Sequence, residues 1–177
     1  LVSLHPFPST ETLNPDGYRL VLSTQVVTAG SYFSQVKTTN RLPQVMAAAE
    51  AEAADADDAL LLNPDGKVVS ATAANLFWVE GETVCTPPLD SGCLPGITRQ
   101  FLMELCPKLD FQVEEKNVTP AELPTKEGIF TTNSVHGVRT AKSLLNQRLQ
   151  SSPVAEKLMA AYDAAQATGM LDGPEDD

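Results

Sequence analysis

The chain has 177 residues, enough to bury one well-packed domain and short for two. Its 42% hydrophobic and 20% charged residues fit a globular protein, and no apolar run approaches the length of a membrane span. A formal net charge of −11 argues against a broad surface for nucleic acid or acidic membranes, yet leaves room for a small anion held by a few oriented donors.

In chain order, Leu1 to Pro8 is neither a basic signal region nor a helix. With no methionine at its start, the chain is expected to be cut from a longer protein. Tyr18 to Val27 alternates like a strand. A helix is predicted from about Leu42 to Ala56, with Pro43 in its first turn and Leu42, Val45, Met46 and Ala49 on one apolar face. Ala59 to Asn63 reads as a buried strand, Asn63-Pro64-Asp65-Gly66 as a turn and Lys67 to Ser70 as the next strand. Asn75–Val79 and Thr83–Thr86 flank Glu80-Gly81-Glu82 as a hairpin. Pro95-Gly96 punctuates the chain before a half-buried helix carrying Ile97, Phe101, Leu102 and Leu105. Phe111 to Glu115 alternates as a strand, and Thr119-Pro120 should cap a short helix. Strands follow at Gly128–Thr132 and around Val138–Leu144, then a final helix from Ser152-Pro153 to near Gly169. The tail from Gly173 to Asp177 is expected to be disordered. This mixture predicts an α/β (mixed) fold around one curved sheet.

Candidate chemistry gathers at few places. The first N–H groups of a helix lack internal partners and lie at the positive end of the peptide dipoles, so the helix after Gly96 can hold an anion, with the Thr98 hydroxyl adding a donor. The plain alternative is a tight turn before an ordinary helix. Lys37 ends an apolar, strand-like stretch, where partial desolvation would favour the neutral amine that forms Schiff bases; the alternative is a solvated lysine beside a helix start. Thr131-Thr132-Asn133-Ser134 can complete an anion cradle or cap a turn. Thr72-Ala73-Ala74 would let a flat ligand approach, or a helix pack closely. His136, with no acidic neighbour in sequence, is read as a loop or pocket-rim residue, and His5 and His136 are too few for a zinc site. Cys85, Cys93 and Cys106 lack ligand spacing and leave an odd thiol, which suits a reducing cytoplasm.

Lys37-Thr-Thr-Asn-Arg-Leu42, Asp58-Ala-Leu-Leu-Leu-Asn63, Asp65-Gly66, Ala74-Asn75-Leu76-Phe77, Thr86-Pro87-Pro88-Leu89, Leu94-Pro-Gly-Ile-Thr-Arg99 and Phe130-Thr-Thr-Asn-Ser134 occur in one order. In that order and spacing the chain resembles the class IV (fold-type IV) pyridoxal-phosphate enzymes, which include aminodeoxychorismate lyases and branched-chain and D-amino-acid aminotransferases. The resemblance implies a D-amino-acid aminotransferase-like C-terminal domain, a curved mixed sheet (pseudo-barrel) with flanking helices. It implies pyridoxal 5'-phosphate as cofactor and Lys37 as the Schiff-base lysine that shuttles the Cα proton. Ser70, Asn75, Gly96, Ile97, Thr98, Asn133 and Ser134 would contact the cofactor, and Arg41 and His136 would border the substrate pocket. The lyase branch, which eliminates pyruvate from 4-amino-4-deoxychorismate to give 4-aminobenzoate for folate, looks nearest. Partners implied are a small amino-acid or aminodeoxychorismate substrate and a second copy in a homodimer, without nucleic acid or membrane.

Two departures stand out. The family usually has a glutamate, protonating the pyridine nitrogen, where this chain has Ser70; a neutral hydroxyl cannot hold that proton by charge, which implies a weaker electron sink or a non-catalytic descendant. The family also has an N-terminal α+β domain to which nothing here corresponds. Residues 1–36 are therefore expected to be a connecting segment with edge strand(s), and 37–177 the cofactor-binding domain.

Overall fold

A computed structural model describes residues 16–30 and 34–168. The readings of Leu1 to Pro8, of His5, of Ser31 to Phe33 and of the tail from Gly173 lie outside the described residues.

Alternating apolar side chains make Tyr18–Val26 the first strand, β1. Helix α1 (Leu42–Ala53) leads to β2 (Asp58–Leu62), β3 (Val68–Ala71), β4 (Asn75–Glu80) and β5 (Thr83–Thr86). Helix α2 (Ile97–Leu105) follows, then β6 (Gln112–Glu115), β7 (Glu127–Asn133), β8 (Gly137–Leu144), the short β9 (Gln147–Arg148) and α3 (Pro153–Ala167). The strands form one mixed sheet in the order β3-β2-β1-β8-β7-β4-β5-β6, with β9 on β8. A further pairing, Ser70 with Asn75, joins β3 to β4 and closes β3-β2-β1-β8-β7-β4 into a ring. This is the pseudo-barrel with flanking helices that the resemblance implied.

Strands β2, β4 and β7 are buried on both faces, and the period-2 rule sorts their side chains. In β4, Leu76 and Trp78 join Leu20, Leu60, Val68, Ile129 and Leu144 in one core. Phe77 and Val79 face the other way, packing with Phe130, Val138 and residues of α2 and α3, among them Leu102, Leu158 and Tyr162. A third cluster sets Ala47 and Ala51 of α1 on Ala59, Leu61 and Val69. Glu50 ties α1 down further: its carboxylate accepts from Ser23 Oγ (2.6 Å), Thr24 N (2.9 Å) and Gln25 Nε2 (3.0 Å), bonds that hold its pKa down to about 2.

Several expectations need correction. β1 pairs with β2 on one side and β8 on the other, so it is an interior strand and not an edge. α1 ends at Ala53, where the chain turns through Asp55 at φ 52°. Its predicted apolar face is exposed, Leu42 at 63%, Val45 at 64% and Met46 at 46%, because the small side chains of Ala47 and Ala51 allow closer packing on the sheet. Ile97 is likewise 82% exposed; Thr98, Arg99 and Leu102 are the buried residues of α2. No helix starts at Thr119-Pro120: Glu122 Oε2 accepts from the Thr119 amide and hydroxyl, and the turn yields only a 3-10 segment, Leu123–Thr125. α3 begins as expected, with Ser152 Oγ accepting from Val154 N.

Candidate active site

The ring closure opens onto a cavity of about 630 Å3. Lys37, Arg41, Ser70, Asn75, Gly96, Ile97, Thr98, Asn133 and Ser134, scattered over 98 positions of sequence, all line it. Its charged lining residues are Lys37 and Arg41, and no Asp or Glu among the described residues lines it. A neighbouring cavity of about 340 Å3 shares Lys37, Ala73, Ala74, Asn133 and Ser134 and adds Tyr18, Asp57, Asp58, Thr72, Val135, His136 and Arg139, among others. His136 therefore borders the second cavity, not the first.

Lys37 is exposed and the described segment around it, 34–41, is irregular rather than strand-like, so burial does not desolvate this amine. Its position follows from what comes next. Arg41 Nη2 donates to the Thr72 carbonyl (3.0 Å), joining the segment before α1 to the small-residue turn Thr72-Ala73-Ala74. Asp58 holds the same turn from the other side, accepting from Thr72 Oγ1 (2.7 Å) and Thr72 N (3.1 Å) as well as from Ala59 N (2.8 Å). Burial raises the pKa of Asp58, and these three donors oppose the shift. Asp58 was not singled out from sequence as a site residue, since nothing local signals that β2 brings it to Thr72.

At the opposite wall Gly96 precedes α2 with no side-chain cap, leaving the Ile97 and Thr98 amides at the positive end of the helix. Asn75 builds this corner: its Nδ2 donates to Leu94 O (2.8 Å), and its Oδ1 lies so close to Gly96 that a Cβ there would collide with it. Behind the turn, buried Arg99 donates from Nη2 to Pro87 O (3.1 Å) and to Glu115, tying the start of α2 to the end of the sheet. Asn75 and Asn133, which the resemblance places at the cofactor, both line the cavity, and their side chains also shape its wall. Asn133 Oδ1 accepts from Val135 N (3.0 Å) and His136 N (2.7 Å), an Asx turn that sets Ser134 at the rim.

Two buried polar atoms of residues that line the large cavity, Thr132 Oγ1 and Gln44 Oε1, have no partner among the described residues. Such groups are costly to leave unsatisfied in a folded interior, and they accord with a polar ligand. The thiols are poor alternative nucleophiles: all three cysteines are buried and free, and burial pushes Cys85 and Cys106 up to about 11. Burial, with the nearby Arg139 charge, lowers His136 below its usual value and favours its neutral form at pH 7. Among the described residues no group of His, Cys, Asp and Glu could hold a metal ion, and no helix is long and apolar enough to cross a membrane.

The closed mixed sheet brings the Lys37 amine, an uncapped helix start and short hydroxyls to one cavity. The chain belongs to the amino-transferase class IV family, which matches residues 1–144. A branched-chain-amino-acid aminotransferase-like protein 2 of Arabidopsis thaliana is 33% identical over 132 residues, 73% of this chain and 23% of that protein. An aminodeoxychorismate lyase of Vibrio harveyi is 34% identical over 102 residues, 58% of this chain and 38% of the lyase. A T.th. branched-chain amino acid aminotransferase, solved in complex with N-(5'-phosphopyridoxyl)-L-glutamate, superposes with a TM-score of 0.81 at 28% identity, over 87% of this chain and 53% of that one. The chain spans less than half the length of the curated relatives it matches.

Proposed function

We propose that this chain carries the cofactor-binding domain of a pyridoxal 5'-phosphate enzyme, with β1 of the segment 1–36 built into its sheet. The reaction is pyruvate elimination from 4-amino-4-deoxychorismate, giving 4-aminobenzoate for folate, or amino transfer from a branched-chain or D-amino acid. One observation carries this reading: Lys37 and the uncapped start of α2 line the same cavity. The cytoplasmic setting read from the cysteines and a homodimer seated on the exposed face of α1 belong to the same reading.

The residues present fit the cofactor. Its phosphate suits the Ile97 and Thr98 amides, the Thr98 hydroxyl and Ser134, and the partnerless Thr132 hydroxyl offers one more donor. When bound, the cofactor supplies an electron sink for negative charge at the substrate Cα. Lys37 Nζ is the group that would hold the cofactor and would carry the proton at that Cα. Asn75 and Gly96 keep the phosphate corner rigid, while Asp58 and Arg41 fix the Thr72 turn that borders the ring site. Ser70 presents a neutral hydroxyl where the resemblance puts the pyridine nitrogen.

Borohydride reduction of the cofactor-loaded protein followed by peptide mass analysis is expected to leave a pyridoxyl group on Lys37; an unmodified lysine ends the proposal. Assays for pyruvate with 4-aminobenzoate, against amino transfer to 2-oxoglutarate or pyruvate, separate lyase from transaminase. A second reading, a cofactor-binding but non-catalytic descendant, is favoured by Ser70 and by the lack of any carboxylate on the cavity wall among the described residues. Adduct at Lys37 without either set of products selects it.

A further inference from the structure

We propose that Arg139 and the smaller cavity form a carboxylate subsite, so that the substrate carries an anionic group remote from its reacting amine. This rests on the reading of Lys37 above for the position of the reacting end. Arg139 stands on β8 opposite Thr131 of β7 and lines the 340 Å3 cavity. Among the described residues its guanidinium donates one hydrogen bond, from Nη1 to the Val138 carbonyl (2.9 Å), and its buried Nε has no partner.

The acids that share this cavity do not neutralise the charge. Asp57 is committed to Arg19, whose amide (2.6 Å) and Nε (3.2 Å) it accepts, and Asp58 to Thr72 and Ala59. No carboxylate among the described residues lies within ion-pair distance of Arg139. A guanidinium kept partly out of water and unpaired is unfavourable until an anion arrives, and its planar fork matches a carboxylate with two parallel bonds. Because Lys37, Asn133 and Ser134 line both cavities, an acid held at Arg139 keeps its other end beside the amine. The chemistry selects a substrate with a second carboxylate over one with an apolar tail.

Calorimetry on the full-length protein, with and without pyridoxal phosphate, tests this with glutarate and butyrate as probes. Replacing Arg139→Gln is expected to weaken glutarate binding by about tenfold or more while butyrate changes less than about twofold, and Arg139→Lys to restore part of the loss. Thermal melting establishes that each variant is folded. Absent glutarate binding to the wild type, unchanged glutarate affinity in Arg139→Gln, or equal loss of both probes overturns the subsite. Its failure alongside a pyridoxyl adduct on Lys37 leaves the cofactor reading standing. Arg139-dependent glutarate binding without that adduct leaves the subsite standing and removes the cofactor reading.

Discussion

At the scale of single residues, the site depends on contacts too close for substitution. Gly96 has φ −68°, which any residue can adopt, so its glycine is required by the approach of Asn75 Oδ1 and not by the backbone. A Gly96→Ala change must push Asn75 off the Leu94 carbonyl or rotate the first turn of α2. The expected cost is about 1–3 kcal/mol in denaturant unfolding, with cofactor affinity in equilibrium dialysis falling further than that loss explains. Unchanged affinity would show that this corner does not hold the phosphate. The Pro95-Gly96 turn was legible in sequence, but its reason was not, since Asn75 lies 21 positions earlier and reaches the turn only through the fold. Asp58 and Arg139 were hidden for the same reason: each acquires its role from cross-strand register, which no local pattern encodes.

At the scale of elements, charge fastens the sheet at the end of β4. Glu80 accepts from Lys116 Nζ (2.7 Å), Lys126 Nζ (2.8 Å) and Trp78 Nε1 (3.0 Å), and these bonds hold its carboxyl down to about 2. A depressed carboxyl pKa adds stability above its unfolded value of 4.5 and surrenders it as pH falls toward 2. Since Glu80 and both lysines are partly solvated, the gain is screened to about 1 kcal/mol. Thermal melting should find Glu80→Gln less stable than wild type at pH 7, with the gap closing by about pH 2; a constant gap would assign the loss to packing. The hairpin ending at Glu80 was readable because strands with both faces buried form near-continuous apolar runs and Gly81 marks the turn. Helix faces were less readable. Spacing can show that Leu42, Val45 and Met46 share a face, but not which surface they meet, and α1 uses its alanines against the sheet instead. The interior place of β1 also follows from long-range pairing, which alternation alone leaves open.

At the scale of the whole molecule, that exposed face is where the homodimer reading can be tested. Leu42, Val45 and Met46 on α1 are larger and more apolar than a lone solvated helix requires. In the homodimer reading a second copy of the protein covers them. Leu42→Glu with Val45→Glu is expected to halve the sedimenting mass of the full-length protein while leaving its circular dichroism intact; an unchanged mass places the interface elsewhere.

The ring of strands closes where Ser70 pairs with Asn75 and the Ala71 amide donates to the Ala74 carbonyl, and both Ser70 and Asn75 line the large cavity. The pocket thus lies at the barrel's clasp. A molecule lodged there would touch both sides of the fastening and act as its rivet, so that loading the site would also lock the shell in which the site is built.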